Sequence, residues 1–294
     1  MSRARPVLAA LIAFSAPALL APVALQAQAD FETTEVARGV YQFRWQAHNG
    51  LFVSTPAGVV AFDPIGVEAA GQFAREIQRT LPGAQLTAVV YSHSDADHAT
   101  GAAALIAGMG QEDVPIIAHE NAVAPIVERG SADLPPPTVT FARRMTISPG
   151  GRRIELHWLG PSHTDNMIVP FLPDVGLAFA VDFVSNDRVG FQELPGWDFD
   201  GFFAALSGLL ELPFDTMVFG HGPPGDRDTV LRQIGYYDAL TAAVRRAHAE
   251  GVTEDQAAER VRLPAYAGWE QYQAWFPLNV RAVYRWLAAT RPLP

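Results

Sequence analysis

"YSHSDADHATG", residues 91–101, places two histidines and two aspartates within the six residues from His93 to His98, although the whole chain holds only 8 histidines. The run "LTAVV" just before it is apolar and of strand length. A small-residue stretch after it, about Ala99 to Met109, reads as a helix. A polar cluster between a buried strand and a helix stands where open α/β architectures put ligand-binding groups. Alternate side chains of an extended segment share a face, so His93, Asp95 and Asp97 can point into one cavity while His98 starts the turn into the helix. Four such donors from one loop can address two metal ions.

Working outward, residues 30–63 carry β-branched and aromatic runs ("GVYQFRWQ", "GLFVSTPAG", "VVAFDP") broken by Gly, Pro and Asn, the pattern of a strand meander. Residues 67–80 have apolar positions at helical intervals and stop before Pro82. "VPIIAHE" reads as a strand and "NAVAPIVERG" as a helix. Residues 131–197 are strand-rich again, through "TVTFARRMTI", "RRIELHWLG", "NMIVPFLP" and "GLAFAVDFV". A helix near Asp198 to Leu212, the strand "DTMVFG" and a helical tail over 226–289 complete the chain. Two halves with strands first and helices after predict an α/β fold, two sheets face to face with helices outside.

At 294 residues, 49% hydrophobic and 18% charged, the chain can bury a substantial core. Residues 1–29 stand apart from it. Arg3 and Arg5 precede an apolar stretch from Val7 to Leu25, and Ala27-Gln28-Ala29 is a small-residue cleavage site before Asp30. This predicts a signal peptide, a mature domain over 30–294 with a helical C-terminal extension from about 226, and a periplasmic or secreted location. No later segment offers about 18 uninterrupted apolar residues, so no stable membrane association is expected after cleavage. With no cysteine, any metal must sit on nitrogen and oxygen. The formal charge is -10, and loss of Arg3 and Arg5 with the leader makes it -12, which argues against nucleic acid as a partner and leaves small molecules open.

Three later loops supply similar residues. His163 follows a strand in "LGPSHTDNMIV", Asp182 ends the apolar run "AFAVDFV", and His221 sits in "TMVFGHGPPG". Polar residues at several strand ends are the pattern of loops converging on one site. In this order the residues resemble the metallo-β-lactamase superfamily, whose signature is a His-x-His-x-Asp-His loop, a later His, a bridging Asp and a final His between glycines. The resemblance spans roughly residues 36–225, leans toward the hydrolase and glyoxalase-like branches, and implies an αββα sandwich with metals at one edge. Asp95 departs from it, standing where the family has its second His. By the resemblance, a first ion takes His93, Asp95 and His163, a second takes Asp97, His98 and His221, and Asp182 bridges them. Zinc is the expected ion, with iron or manganese as alternatives at the His93/Asp95/His163 site, because two imidazoles and a carboxylate also suit non-haem iron. Asp95, Asp97 and Asp182 oppose two divalent ions with three negative charges, which lowers the pKa of bound water less than two would.

The expected function is an exported metal-dependent hydrolase that activates water against an ester, lactone, thioester or amide bond of a small molecule, β-lactams included. Asp97 and Asp182 are the catalytic candidates, Asn166 and Arg188 the substrate-binding ones; the chain has no lysine to hold a substrate carboxylate. The rivals are a mononuclear iron oxygenase acting on sulfur and a non-catalytic metal-binding protein. His48 in "WQAHNG" reads as a surface turn, with replacement of the missing imidazole as the alternative the resemblance implies, since the tip of the first hairpin in this family can approach the metals; His119, His157 and His248 read as structural. Phe183, Phe191, Trp197 and Phe199 can wall an apolar pocket. Tyr266, Trp269, Tyr272, Trp275 and Phe276, at helix-like spacings, read as core packing or a contact between subunits.

Overall fold

In the computed structural model, residues 31–290 are described; the predicted leader, residues 1–29, lies outside them. Strands β1 (Phe31–Ala37), β2 (Val40–Trp45), β3 (His48–Thr55) and β4 (Gly58–Phe62) form the expected antiparallel meander. Helix α1 (Val67–Thr80) then leads to β5 (Leu86–Val90). Next come the single turn α2 (Ala96–Ala99) and α3 (Ala102–Gly108), then β6 (Ile116–His119), α4 (Val123–Arg129) and β7 (Val139–Phe141). Strands β1 to β7 form one sheet in chain order, parallel from β4 onward.

The second sheet is built from β8 (Arg144–Ile147), β9 (Ile154–Trp158), β10 (Ile168–Leu172) and β11 (Leu177–Ala180). After α5 (Phe199–Glu211), β12 (Thr216–Phe219) joins it parallel to β11, giving the order β12-β11-β10-β9-β8. Helices α6 (Arg227–Ala249), α7 (Glu254–Arg260) and α8 (Tyr272–Thr290) follow. This is the expected pair of mixed sheets with helices outside. None of the helices described is long and apolar enough to cross a membrane.

Period-two alternation buries both faces of the first sheet. Leu51, Val53, Val60, Phe62 and Val90 pack inward against Ile168, Phe179 and Met217 of the second sheet. Phe52, Ala61 and Val89 face outward, where Phe73 and Ile77 of α1 and Leu105 of α3 cover them. The C-terminal aromatic stripe is largely internal: Tyr272 and Phe276 stack at 4.5 Å, and Trp269 and Tyr266 each lie 5.3 Å from Tyr236 of α6.

Two expectations change. The helix placed over 99–109 is broken at Gly101, which has φ +100, and a Cβ there would lie 2.5 Å from the Gly66 carbonyl oxygen. The break lets α2 turn independently of α3. "TVTFARRMTI", which reads as one strand-rich segment, is divided between the sheets: Ala142 O accepts from His119 Nε2 of the first sheet, while Arg143 O accepts from Trp158 N of the second. The chain crosses the sandwich at this dipeptide.

Candidate metal centre

Strand ends bring the candidate ligands together at one edge of the sandwich. His93 and Asp95 lie between β5 and α2, and Asp97 and His98 ride on α2; His163 lies between β9 and β10; Asp182 and His221 follow β11 and β12. They form two clusters. In one, Asp95 Oδ2 lies 3.1 Å from His163 Nε2 and 3.6 Å from His93 Nε2. In the other, His98 Nε2 lies 3.4 Å from His221 Nε2 and 3.8 Å from Asp97 Oδ2. Asp182 spans them, with Oδ2 3.1 Å from His93 Nε2 and Oδ1 2.9 Å from His221 Nε2. All seven sequence candidates for metal ligands therefore meet.

These separations fit a cation. A tetrahedral ion with bonds of about 2.0–2.1 Å holds neighbouring donors about 3.3–3.4 Å apart, the middle of the spacings above. His93 Nε2 is fully buried and close to two carboxylates, yet aligned for a hydrogen bond with neither. Asp95 occupies the residue before α2 without capping it; its carboxylate turns to His163 instead.

Partners behind the ligands set their tautomers. Asp63, fully buried at the end of β4, accepts from Ser92 N at 2.7 Å and Ser92 Oγ at 2.6 Å, and its Oδ2 faces His98 Nδ1 at 3.3 Å. Because the Ser92 hydroxyl proton goes to Asp63, Ser92 Oγ accepts from His93 Nδ1 at 2.9 Å. His221 Nδ1 donates to Ala47 O at 2.9 Å. The Ser92 and Ala47 contacts put the proton on Nδ1 of His93 and His221 and turn their Nε2 lone pairs toward the site, and the Asp63 carboxylate beside His98 Nδ1 favours the same tautomer there. Gly220 must lack a side chain, since a Cβ would lie 2.5 Å from Val181 Cγ1 and 3.1 Å from His98 Cε1.

The electrostatics are those of a site built for positive charge. Burial alone would lower the His93 pKa, but the carboxylates of Asp182 and Asp95 beside it outweigh that and lift the imidazole to about 9. His98 is likewise raised, burial being overcome by the carboxylates of Asp182 and Asp63 beside it. Burial would raise Asp97, yet the His48 hydrogen bond and the His98 charge bring it to about 2. Asp95 and Asp182 are held down by their histidine neighbours against the same burial. Three ionised carboxylates thus attract either protons onto the imidazoles or metal cations.

The clusters open into a cavity of about 530 Å³ walled by Val189, Phe191, Trp197 and Trp275, with Arg188 in its lining. Arg188 lies 4.9 Å over the Trp275 ring and 3.7 Å from Glu270. Asn279, fully buried on α8, donates to Gly190 O and Gln192 O and accepts from Tyr236 of α6, so the tail helices hold the cavity wall. Phe183 and Phe199 are buried in the core behind this wall. Asn166 does not reach the cavity: it is buried, its Oδ1 accepts from Ser94 N, and its Nδ2 donates to Asp165. It pins the His93 loop to the β9–β10 loop, so its expected contact with substrate is replaced by a bracing role. His48 is not in a free surface turn; its Nε2 is 3.3 Å from Asp97 Oδ2. The sequence signal for it was its place at a hairpin tip beside Asn49-Gly50.

The chain is similar to known proteins in sequence and in fold. The chain is 27% identical over 237 residues, 77% of its own length and 69% of the relative's, to 2,4-dinitroanisole O-demethylase subunit alpha of Nocardioides sp. (strain JS1661). A metallo-beta-lactamase from Pontibacter korlensis superposes with a TM-score of 0.61 at 23% identity, covering 71% of this chain and 99% of that one. The inverting sec-alkylsulfatase Pisa1 from Pseudomonas sp. superposes with a TM-score of 0.69 at 19% identity, covering 90% of this chain and 51% of that one. Both likenesses are of fold. The metallo-beta-lactamase superfamily model matches residues 44–221, from the first hairpin to the last of the candidate histidine ligands, and the chain belongs to that superfamily.

Proposed function

We propose that this protein is an exported, metal-dependent hydrolase that uses water to cleave an ester, lactone, thioester or amide bond in a small molecule with an apolar, ring-bearing body. The observation that carries this reading is the pair of donor clusters sharing Asp182 on one wall of an aromatic cavity. His93, Asp95 and His163 would hold one divalent cation, zinc foremost; Asp97, His98 and His221 would hold the other. Bound there, such cations supply Lewis acidity, lowering the pKa of water and polarising a substrate oxygen.

The chain's own residues do the rest. Asp182 fixes the spacing of the clusters. Asp97, half-exposed to the cavity and held near pKa 2, stays ionised at neutral pH and accepts a hydrogen bond from the attacking water, orienting it. Trp197, Phe191 and Trp275 exclude bulk solvent and bury the apolar part of the substrate. Arg188 offers a positive group to substrate oxygens near the mouth. Two clusters sharing one carboxylate favour a dinuclear hydrolase over a single-iron oxygenase. The likeness to the O-demethylase subunit favours a second reading, cleavage of an alkoxy group from an electron-poor ring, in which water and the aryl ether give a phenol and an alcohol.

The test is a panel of chromogenic esters, thioesters, lactones, β-lactams and nitroaryl ethers, assayed with chelator-treated protein resupplied with zinc, manganese or iron. A rate that returns with metal on one bond class is the expected result. A folded protein with no metal-dependent rate on any class, or one that binds no transition metal, defeats the reading. Export is checked by fractionation and by a mature N-terminus at Asp30; a cytosolic, full-length chain defeats that part alone.

A further inference from the structure

His48 stands at the start of β3 and has no place in the ordered ligand pattern, yet the structure holds it on the second cluster from two sides. Its backbone bridges His221, and Asn49 N donates to Gly220 O at 2.8 Å. Asn49 Nδ2 donates to Phe219 O at 2.9 Å and Gly222 O at 2.8 Å, and His221 Nδ1 donates to Ala47 O. The hairpin tip is thus bolted to the turn carrying the last histidine. The His48 ring lies 4.7 Å from that of His221 and 5.6 Å from that of His98. Ligand atoms of His48, Asp97, His98 and His221 all lie within 4.8 Å of one another. The 3.3 Å from His48 Nε2 to Asp97 Oδ2 is the edge expected of a tetrahedral ion with bonds of about 2.0–2.1 Å. A lone His–Asp hydrogen bond accounts for that distance but not for the convergence with two further imidazoles.

We propose that His48 is a direct ligand of the second cation, so that His48, Asp97, His98 and His221 form a three-imidazole pocket that fills ahead of the His93, Asp95 and His163 pocket. The proposal rests on the metal-centre reading above and assigns the centre an asymmetry. Asp95 leaves the first pocket two nitrogens and a hard oxygen beside Asp182, whereas the second gains a third nitrogen. Borderline-soft ions such as zinc favour the nitrogen-rich set. The imidazole absent from one pocket is present in the other.

The experiment measures stepwise zinc affinity by competition with a chromophoric chelator, and the absorption of the cobalt(II) form, for chelator-treated wild type and the variants His48→Ala, His48→Gln and His163→Ala. Expected are two equivalents on wild type. His48→Ala should weaken the tighter equivalent at least about 100-fold, beyond the 10–100-fold typical of a ligand's supporting partner. The cobalt spectrum should change with it, and His163→Ala should affect the weaker equivalent. Glutamine keeps the hydrogen bond to Asp97 without an imidazole and should not restore affinity. Zinc binding by His48→Ala equal to wild type, restoration by His48→Gln, or loss of the tighter equivalent in His163→Ala would each overturn the proposal while leaving a metal centre in place. A wild-type protein that binds no zinc would remove the metal centre and this proposal together.

Discussion

Replacing Asp63 by asparagine tests the claim that one carboxylate outside the ligand set controls both clusters. Asp63 is fully buried and has φ +50, a left-handed conformation that asparagine adopts as readily as aspartate, so the change isolates the charge. The amide oxygen can keep the bond to Ser92 N, but then the NH2 group meets Ser92 Oγ and His98 Nδ1, where the Oδ2 of Asp63 accepts from Ser92 Oγ at 2.6 Å and faces His98 Nδ1 at 3.3 Å. Ser92 must now accept from the introduced amide and turn its own proton to His93 Nδ1. His93 and His98 would both be driven to carry their proton on Nε2, the nitrogen that faces the ion. Loss of a charge-assisted hydrogen bond costs about 1.5–3 kcal/mol. At about 1.4 kcal/mol per tenfold, affinity should fall about 10–150-fold, consistent with the 10–100-fold typical when a ligand's hydrogen-bond partner is removed. Zinc competition titrations on the folded variant, with circular dichroism as control, measure this. Affinities within about twofold of wild type for both equivalents would refute the tautomer argument.

Asn49→Ala removes a buried side chain that bonds Gln42, Phe219 O and Gly222 O, and should cost about 2–4 kcal/mol. That corresponds to a Tm lower by roughly 5–15 °C in calorimetry, and a fall under about 2 °C would contradict the bolt between the hairpin and the His221 turn. Asp95→His restores a third imidazole to the first pocket and should tighten the weaker zinc equivalent; an affinity there unchanged in competition titrations would mean Asp95 is not a ligand. The pH dependence of the metal-free protein follows from the signs. His93 is raised to about 9, so its contribution is complete below the unfolded pKa near 6.5 and is lost as pH rises through 9. Asp97 is lowered to about 2, so its contribution is complete above about 4 and is lost as pH falls through 2. Thermal melts in chelator should therefore weaken between pH 6.5 and 9, and added zinc, which takes the protons' place, should abolish that decline; a flat profile in chelator would show that the histidines are not held charged.

Much of this was legible in the primary structure because the relevant signals are local. The meander, α1 over 67–80 and the strands before each ligand follow from alternation, helical spacing and Gly/Pro punctuation. His93, Asp97, His98, His163, Asp182 and His221 were recognisable because they lie in loops and a helical turn after apolar strands, in the order of the family signature. The misplaced elements were those where a distant partner decides. A continuous small-residue helix gives way at Gly101 because Gly66 approaches it. The strand-rich segment around Ala142 divides because one carbonyl pairs with His119 of the first sheet and the next accepts from Trp158 N of the second. Asn166 reads as a substrate-binding residue, and only the position of Ser94 N commits it to bracing two loops.

Sequence by itself determined the class of fold, the order of the ligands and the exclusion of thiolate chemistry, since these depend on residue type and short-range spacing. Tertiary structure decided which donors share a pocket, that Asp63 and Ser92 aim the imidazoles, and that His48 joins the second cluster. Those facts depend on residues far apart in the chain, such as Asn49 and Phe219, being held at hydrogen-bond distance by the packing of two sheets. No local pattern encodes such a distance.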